Sequence, residues 1–537
     1  MNDVTSIRNY HEATKRHFHE NAQLLDSLDW KDQPNPFRRF TGAELITLPL
    51  QKTDKTARYE DIFVPGKLPA QSLSKESIGK FFEYSLAISG WRQSGSDRWA
   101  LRINPSSGNL HPTEGYCLLP AINGIYHLPS VYHYAPKEHA LERRGEFPQA
   151  IWNILPSDIF LVGLSSIRWR EAWKYGNRAF RYCQHDCGHA YMALDIAARM
   201  LGWRIALLNT IDDQEIAAAL GLDRAHEFIT NEEESPELFM AVHLKPRKNP
   251  VHQSVSGIFF SGVSCGKWFG KANSLSRTHQ DWPLIHVADQ STKKTTGMKK
   301  SSANQVDDAN EDSGTETLTK SFPVYYGPKL SAYQVISKRR SVAKMDKRAS
   351  SSMSQETFFR MLSRIMESGG NLPWQPNVNL ALFVHRVSSL APGLYILVSH
   401  KAMYNPLKRA THGYFRWERP AGCPTNLKLY LLQEGDFTDT ASNISCNQNI
   451  ASDGTFSIGM ITRFQSPLDT HGAWFYKRLF WETGMIGQLL YLEAEAAGFS
   501  GTGIGCFLDD VMHALLGLQG VEFQSLYHFT VGNRETG

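Results

Sequence analysis

The sequence predicts an α+β fold that occurs twice in one chain, the two copies forming an intramolecular pseudo-dimer. Three observations predict it. Gly188, Gly202 and Gly221 are separated by 14 and 19 residues, and Gly484, Gly498 and Gly517 repeat the same 14 and 19. An earlier helix is also shared. Ser74-Lys-Glu76-Ser-Ile78-Gly-Lys-Phe81-Phe82 corresponds to Ser354-Gln-Glu356-Thr-Phe358-Phe-Arg-Met361-Leu362, each with a serine N-cap, an early glutamate suited to the helix dipole and apolar residues at helical spacing. Finally, strand-like runs such as Gly115-Tyr-Cys-Leu-Leu, Ile159-Phe-Leu-Val-Gly, Leu238-Phe-Met-Ala-Val-His-Leu, Leu380-Ala-Leu-Phe-Val and Leu394-Tyr-Ile-Leu-Val mix with helices without regular alternation. That pattern fits α+β better than a doubly wound sheet. The offset between copies is 280 at the early helix (354 minus 74) and 296 at the glycines (484 minus 188), so order is kept while the second copy carries an insertion. A fused pair of this kind reproduces the two-fold interface of a homodimer within one chain.

The elements follow in order. Residues 1–57 have few long apolar patterns and many Asn, Pro, Asp and Arg, and are expected to form an arm on the outside of the first domain. Residues 58–250 form domain 1, with helices expected over Ala190–Leu201 and Asp212–Leu220 around a glycine turn. Residues 251–287 read as a second arm, anchored by Phe259, Phe260, Trp268, Phe269 and Trp282. Residues 288–321 contain almost nothing apolar and are expected to be a disordered linker. Domain 2 spans 322–537, with the matching helices over Met485–Ala497 and Asp509–Leu516.

Composition narrows the function classes. At 537 residues the chain exceeds one typical domain, and 42% hydrophobic and 11% aromatic residues supply substantial cores. A net charge of +4 argues against a nucleic-acid partner. There is no apolar run near membrane-spanning length, and Met1-Asn-Asp-Val-Thr-Ser is polar, so a cytoplasmic location without membrane association is expected. The seven cysteines (117, 183, 187, 265, 423, 446 and 506) are odd in number and thinly spread, which suits reduced thiols. In Cys183-Gln-His185-Asp-Cys187-Gly-His189 the two cysteines share a helix face, but no second ligand pair is supplied, so no metal is expected.

The stretch Arg102-Ile-Asn-Pro105-Ser106-Ser107-Gly108-Asn109-Leu-His111-Pro112-Thr113-Glu114 concentrates a fixed dihedral at Pro105, backbone freedom at Gly108, and small polar groups at Ser106, Ser107 and Asn109. Residues 105–109 alone could be an ordinary turn. The complete stretch resembles the flavin-contacting loop of the nitroreductase superfamily, in the form carried by SagB/ThcOx-type dehydrogenases. The resemblance covers most of residues 58–250 and 325–537. It implies that FMN is gripped at its phosphate by an Arg-Arg-Ser type motif of one copy and met by the Pro-Ser-Ser-x-Asn loop of the other.

The two copies keep different parts of that pattern. Copy two has Lys338-Arg339-Arg340-Ser341, whose guanidinium forks and hydroxyl suit a phosphate, although such a run alone is often a solvated basic patch. The corresponding place in copy one, Arg58-Tyr-Glu60-Asp61, would repel one. Copy two also has a glycine-rich turn, Gly498-Phe-Ser-Gly501-Thr-Gly503-Ile-Gly505-Cys506, where copy one reads Gly202-Trp-Arg-Ile-Ala-Leu-Leu-Asn209-Thr210. The loop comparison runs the other way: against Pro105–Asn109, copy two offers only Asn371-Leu-Pro-Trp-Gln-Pro376. Together the halves imply one complete FMN site and one degenerate one, with Gly503, Gly505, Cys506 and the C-terminal Arg534 as further contacts by resemblance. One departure is Ala343, where the family often continues with a basic residue; Lys344 follows it.

Trp173-Lys174-Tyr175-Gly176-Asn-Arg178 is similar to the Lys-Tyr pair of azoline-oxidising members, which implies Lys174 and Tyr175 as the proton-handling residues. Their positions in copy two hold Thr470 and His471. The implied activity is FMN-dependent dehydrogenation of a carbon-nitrogen or similar bond in a small-molecule or modified-peptide substrate, an azoline-to-azole oxidation being its sharpest form. Two alternatives stay open: a generic nitro- or quinone-type reductase with NAD(P)H as co-substrate, and a flavin-free scaffold in a modification complex.

Overall fold

The computed structural model describes residues 3–17, 28–51, 53–245, 255, 257–295, 329–348, 350–368, 372 and 374–535. They divide into two compact units. The N-terminal unit holds 28–295 with 329–337, and the C-terminal unit holds 3–17 with 338–535. Helix α1 (Asp3–Ala13) therefore belongs to the C-terminal unit, where its position in the chain suggests an arm of domain 1. Its one apolar face buries Ile7, Tyr10 and His11 in the C-terminal unit, where the His11 ring nitrogens meet Tyr476 Oη at 3.2 Å and Gln524 Oε1 at 3.3 Å.

In the N-terminal unit, α2 (Lys75–Glu83) begins with the expected cap: the Ser74 hydroxyl accepts Ser77 N–H at 3.2 Å and the Ser77 hydroxyl accepts Ser74 N–H at 2.9 Å. A hairpin of β1 (Ile88–Ser94) and β2 (Asp97–Arg102) follows. The main sheet contains β3 (Thr113–Leu119), β4 (Ser130–Ala135), β5 (Ala140–Glu146), β6 (Ile159–Ile167), β7 (Arg204–Leu207) and β8 (Glu234–His243), in the antiparallel order β5-β4-β3-β6-β8-β7. Short strands at Glu44–Thr47 and Lys267–Trp268 extend it on β5. Helices α3 (Arg168–Tyr175), α4 (Ala179–Met200) and α5 (Asp213–Leu220) come next, then α6 (Gly257–Ser264) and α7 (Pro283–Ser291). In the second arm, α6 buries Phe259 and Phe260. Helix α7 occupies part of the expected linker: Ile285, Ala288, Ser291 and Lys294 are buried there, so order reaches past 288. The rest of that linker, 296–321, lies outside the described residues. Helix α8 (Ala332–Lys338) places 332–337 in this same unit, so the expected boundary at 322 does not coincide with the structural one. Ala332 N–H donates to Ala57 O at 2.8 Å.

The C-terminal unit repeats the plan. Helix α9 (Gln355–Ser368) has Thr357 N–H donating to the Ser354 hydroxyl at 3.2 Å. Strands β9 (Val378–Val384), β10 (Gly393–Leu397), β11 (Leu429–Glu434), β12 (Phe456–Arg463), β13 (Ser500–Ile504) and β14 (Phe523–Gly532) pair antiparallel in the order β11-β10-β9-β12-β14-β13, the same path as the first sheet. Helices α10 (Gln465–His471), α11 (Phe475–Ala496) and α12 (Asp509–Leu516) stand where α3, α4 and α5 stand in the first copy, α4 and α11 both 22 residues long.

Gly221 and Gly517 end α5 and α12 in the left-handed conformation, φ +71° and +79°, which explains their equal spacing in the two triplets. Gly188 and Gly484 instead lie inside α4 and α11, which begin about three turns before the expected starts. The expected glycine-rich turn is mostly strand: β13 carries Gly501 and Gly503 because added Cβ atoms would come within 2.8 Å of Phe529 and 2.0 Å of the Tyr527 hydroxyl. Cys446 and Cys506 form a disulfide, contrary to the expected reduced thiols; spacing along the chain did not show that the Ile444–Ile450 connection returns to the end of β13. Among the described residues no helix is long and apolar enough to cross a membrane.

Candidate functional site

Helices α4 and α11 are enclosed almost completely: every residue of α4 is buried except Arg199, and every residue of α11 except Ile486 and Glu495. Enclosed helices are ordinarily apolar all round. Each nevertheless carries a buried carboxyl at the same place in the repeat, Asp186 and Glu482.

In the N-terminal unit Asp186 holds the Pro105–Asn109 loop. Its carboxylate accepts Ser107 N–H at 3.1 Å and the Ser107 hydroxyl at 3.2 Å. Burial pushes its pKa up to about 7, although hydrogen bonds from Ser106 and Ser107 favour the anion. The loop closes on itself as well. Ser106 Oγ accepts His111 N–H at 2.8 Å, Asn109 Nδ2 donates to Ala100 O at 3.0 Å, and Asn109 Oδ1 meets His111 Nε2 at 3.1 Å. Gly108, Asn109 and His111 take positive φ values of 58°, 60° and 54°. Pro105 is buried and Gly108 exposed.

Lys174 and Tyr175, at the end of α3, reach that loop. A Cβ on Gly108 would lie 2.6 Å from the Tyr175 hydroxyl and 3.3 Å from Lys174 Nζ, so only glycine leaves room for the pair. Tyr175 packs on Tyr182 of α4 with ring centroids 4.4 Å apart. Gly176, at φ 53°, breaks the chain between α3 and α4, and the Trp282 ring of the second arm covers it. Desolvation lowers the pKa of Lys174, opposed by the charge of Glu171 one turn earlier. Arg170 anchors α3 beneath the loop: it donates to His111 O at 2.7 Å and pairs with Glu114, which meets His133 Nε2 at 2.9 Å. Two buried acids here, Glu171 and Asp186, escaped the sequence reading. The available signal was Glu171 one turn before Lys174 and Asp186 inside the dismissed Cys-His cluster.

In the C-terminal unit the Arg339-Arg340-Ser341 segment adds to the edge of β13. Ser341 bridges to Gly501 in parallel, and Val342 N–H donates to Thr502 Oγ1 at 3.0 Å. Tyr491 of α11 organises the cluster: its hydroxyl meets Ser341 Oγ at 2.8 Å and accepts Gly503 N–H at 2.8 Å, and the Arg339 guanidinium lies 5.0 Å from its ring centroid. Arg534 joins through a backbone bridge to Met345. Burial pushes Arg339 down to about 10. Burial also raises Glu495, while Arg534, Arg339, Lys338 and Arg340 all act on it in the opposite sense. Four cations around one carboxylate leave the cluster positive, and the donor set suits a phosphate dianion. Gly503 stands within this cluster, and Gly505 and Cys506 follow it on the chain, Cys506 engaged in the disulfide. Tyr491 and Glu495 were missed; their i, i+4 spacing on one helix was the available clue.

Residues 445–533 match the family model described as Nitroreductase family. The chain is similar along its whole length to a crystal structure described as a nitroreductase from Anabaena variabilis, with 18% identity, a TM-score of 0.68 and 100% of both chains covered. Lower TM-scores accompany a structure described as a nitroreductase from Ralstonia eutropha (0.28, 13% identity, 42% of this chain and 98% of that one) and the E. coli microcin synthetase McbBCD complex with truncated pro-MccB17 bound (0.27, 16% identity, 46% and 94%). No curated protein matches the chain. The fold is the α+β nitroreductase-like fold, with its sheet and long-helix plan repeated along the chain.

Proposed function

We propose that the protein is an FMN-dependent oxidoreductase of the SagB/ThcOx type, built as a tandem pair with one complete flavin site. The observation that carries this reading is the meeting of Lys174 and Tyr175 with Gly108 of the Pro105–Asn109 loop. Arg339, Arg340, Ser341 and Arg534 are the proposed phosphate-holding residues, with Gly503, Gly505 and Cys506 beside them. Pro105, Ser106, Ser107, Gly108 and Asn109 are the proposed loop contribution. The complementarity is one of sequence, each copy keeping the part the other lacks. When bound, FMN supplies a two-electron acceptor for a hydride. The chain supplies the base: Lys174 Nζ, half-buried and with its pKa lowered by desolvation, takes the proton that leaves the substrate, and the Tyr175 hydroxyl orients or relays it. Loss of one hydride and one proton from adjacent atoms turns a single bond into a double bond; in an azoline ring of a small or peptide substrate, which already holds its C=N bond, the bond that becomes double is the ring carbon-carbon bond.

Purified protein should be yellow, with about one FMN per chain, because the chain holds one Arg-Arg-Ser segment and one Ser/Asn loop, one of each part. Azoline-containing peptides and nitroaromatics with NAD(P)H, assayed side by side, separate dehydrogenation from generic reduction. Protein that stays colourless after incubation with FMN and shows no binding by fluorescence quenching would remove the flavoenzyme reading and leave the scaffold alternative.

A further inference from the structure

The second arm carries two tryptophans that each lie on a helix-ending glycine of positive φ. Gly221 closes α5 at φ 71°, its N–H donating to Ala217 O, and Gly176 closes α3 at φ 53°, its N–H donating to Ala172 O. The three atoms nearest to a Cβ built on Gly221 all belong to the Trp268 ring. Those nearest to one on Gly176 all belong to the Trp282 ring, the closest at 2.9 Å. Both rings are half-buried. The two covers are alike in form and differ in what adjoins them, since Gly176 directly follows Lys174 and Tyr175 on the chain. Glycine moves between positive and negative φ about equally readily, so local sequence does not hold the joint between α3 and α4, and a neighbour has to. The second arm is that neighbour along much of α3: Arg168 Nη2 donates to Asp289 Oδ1 at 2.8 Å, the Trp169 indole N–H donates to Ser276 Oγ at 2.9 Å, and Trp282 covers the end. The arm is itself tied down away from α3, where the Glu232 carboxylate accepts Leu275 N–H at 2.8 Å and Ser276 N–H at 2.9 Å. Beyond the joint, the Tyr175 hydroxyl sits against Gly108 of the loop.

We propose that Trp282 is the positioning residue for Lys174 and Tyr175. By closing on Gly176 it fixes the joint between α3 and α4 in the conformation that carries both side chains to Gly108, while Trp268 makes the same kind of contact for stability alone. Trp282 acts through the backbone and touches no reacting atom. The second arm is then part of the site rather than an outer support. Loss of the ring lets Gly176 change φ, and a misplacement of about 1 Å in a proton-handling group is enough to cost up to ~10²-fold in rate.

The inference rests on the reading of Lys174 and Tyr175 as the proton-handling pair, but its first test needs neither flavin nor substrate. The full-length protein is pulse-labelled with acetic anhydride and lysine acetylation is read by peptide mass spectrometry, with Lys80 of α2, also half-buried, as the internal reference. Trp282→Ala should raise Lys174 labelling relative to Lys80 by about fivefold or more, because the end of α3 opens locally. Trp282→Phe, whose ring reaches less far, should fall between Trp282→Ala and the unchanged protein, and it carries the same test should Trp282→Ala not fold. Trp268→Ala, the matched loss of a ring over a glycine, should leave the ratio within about twofold whatever it costs in urea unfolding. A purely structural Trp282 would instead move Lys174 and Lys80 together, or behave as Trp268 does, and either result would overturn the proposal. On an established substrate Trp282→Ala should lower kcat by about 10 to 100-fold with KM within about threefold, and Trp282→Phe should recover part of the loss. An unchanged kcat in Trp282→Ala, with Lys174→Ala inactive, also overturns it. Should labelling rise as expected while Lys174→Ala keeps full turnover, the positioning by Trp282 stands and the assignment of Lys174 to the chemistry falls.

Discussion

The long helices α4 and α11 occupy the same place in their two units, and the repeat offset of 296 pairs their residues one by one (475 minus 179). Near the N-terminal end, Tyr182 and Asp186 of α4 correspond to Arg478 and Glu482 of α11. Both acids hold the backbone that enters the sheet: Asp186 takes Ser107 N–H, and Glu482 takes Asn377 and Val378 N–H at 2.9 and 2.8 Å. What lies above them differs. Copy one has the Tyr175–Tyr182 pair with Lys174. In copy two the Arg478 guanidinium lies among the rings of Trp474, Trp374 and Phe475, at 4.0, 4.8 and 5.5 Å, and His471 stacks on Phe475. Toward the other end the contrast reverses. Tyr491 and Glu495 of α11 face Arg339, Arg340 and Arg534, whereas their counterparts Asp195 and Arg199 close on each other at 2.7 Å. The fold kept the buried acid because the backbone entering the sheet needs an acceptor in both copies. The groups around it were free to diverge.

The largest effect that could break this comparison is on turnover. Lys174→Ala should reduce turnover on an established substrate by about 10² to 10⁴-fold while FMN content is unchanged, as loss of a general base does. His471→Ala, at the position matching Tyr175, should leave turnover within about twofold. Equal losses from the two would end the assignment of chemistry to copy one.

Next comes the phosphate cluster. Arg340→Glu should weaken FMN binding by about 10 to 100-fold or more in a fluorescence titration, since it removes a charge-assisted contact of roughly 1.5 to 3 kcal/mol and adds repulsion. Undiminished affinity would show that the cluster does not hold the cofactor.

A third test concerns the shared acid. Burial pushes Glu482 up to about 7 from an ordinary 4.5, against hydrogen bonds from Val378, Asn377 and Trp374. Between these values the native state holds the extra proton, so the stabilisation is complete below pH 4.5, declines as pH rises toward 7 and is flat above. The amides of Asn377 and Val378 should therefore open more readily at pH 8 than at pH 5, by up to roughly 3 kcal/mol, and Glu482→Gln should flatten that slope. Hydrogen exchange followed by NMR or mass spectrometry reads it directly; a slope unchanged in the variant would place the titration elsewhere.

The smallest expected effect is at the degenerate end. Arg199→Ala breaks one i, i+4 ion pair and should cost about 0.3 to 0.5 kcal/mol in urea unfolding, with FMN affinity unaltered. A loss of flavin there would mean that copy one also binds phosphate.

The sequence by itself determined the fold class and its repetition along the chain, and singled out the candidate segments. Capping serines, helix-ending glycines and strand-length apolar runs are local signals, read by backbone physics within a few residues. As candidates, Arg339, Arg340, Ser341 and Arg534 came from their charge and the family resemblance, and Lys174-Tyr175 from its motif. Tertiary structure alone decided what depends on chain segments far apart meeting. It assigned α1 to the C-terminal unit, joined Cys446 to Cys506, and placed Lys174 against Gly108. It also showed that Gly501 and Gly503 are small for the sake of Phe529 and Tyr527 as much as for any ligand. Glu171 and Asp186 left only their places in the sequence, one turn before Lys174 and inside the Cys-His cluster: a carboxyl's hold on a proton strengthens only when burial removes water from it, and burial is a property of the packed chain.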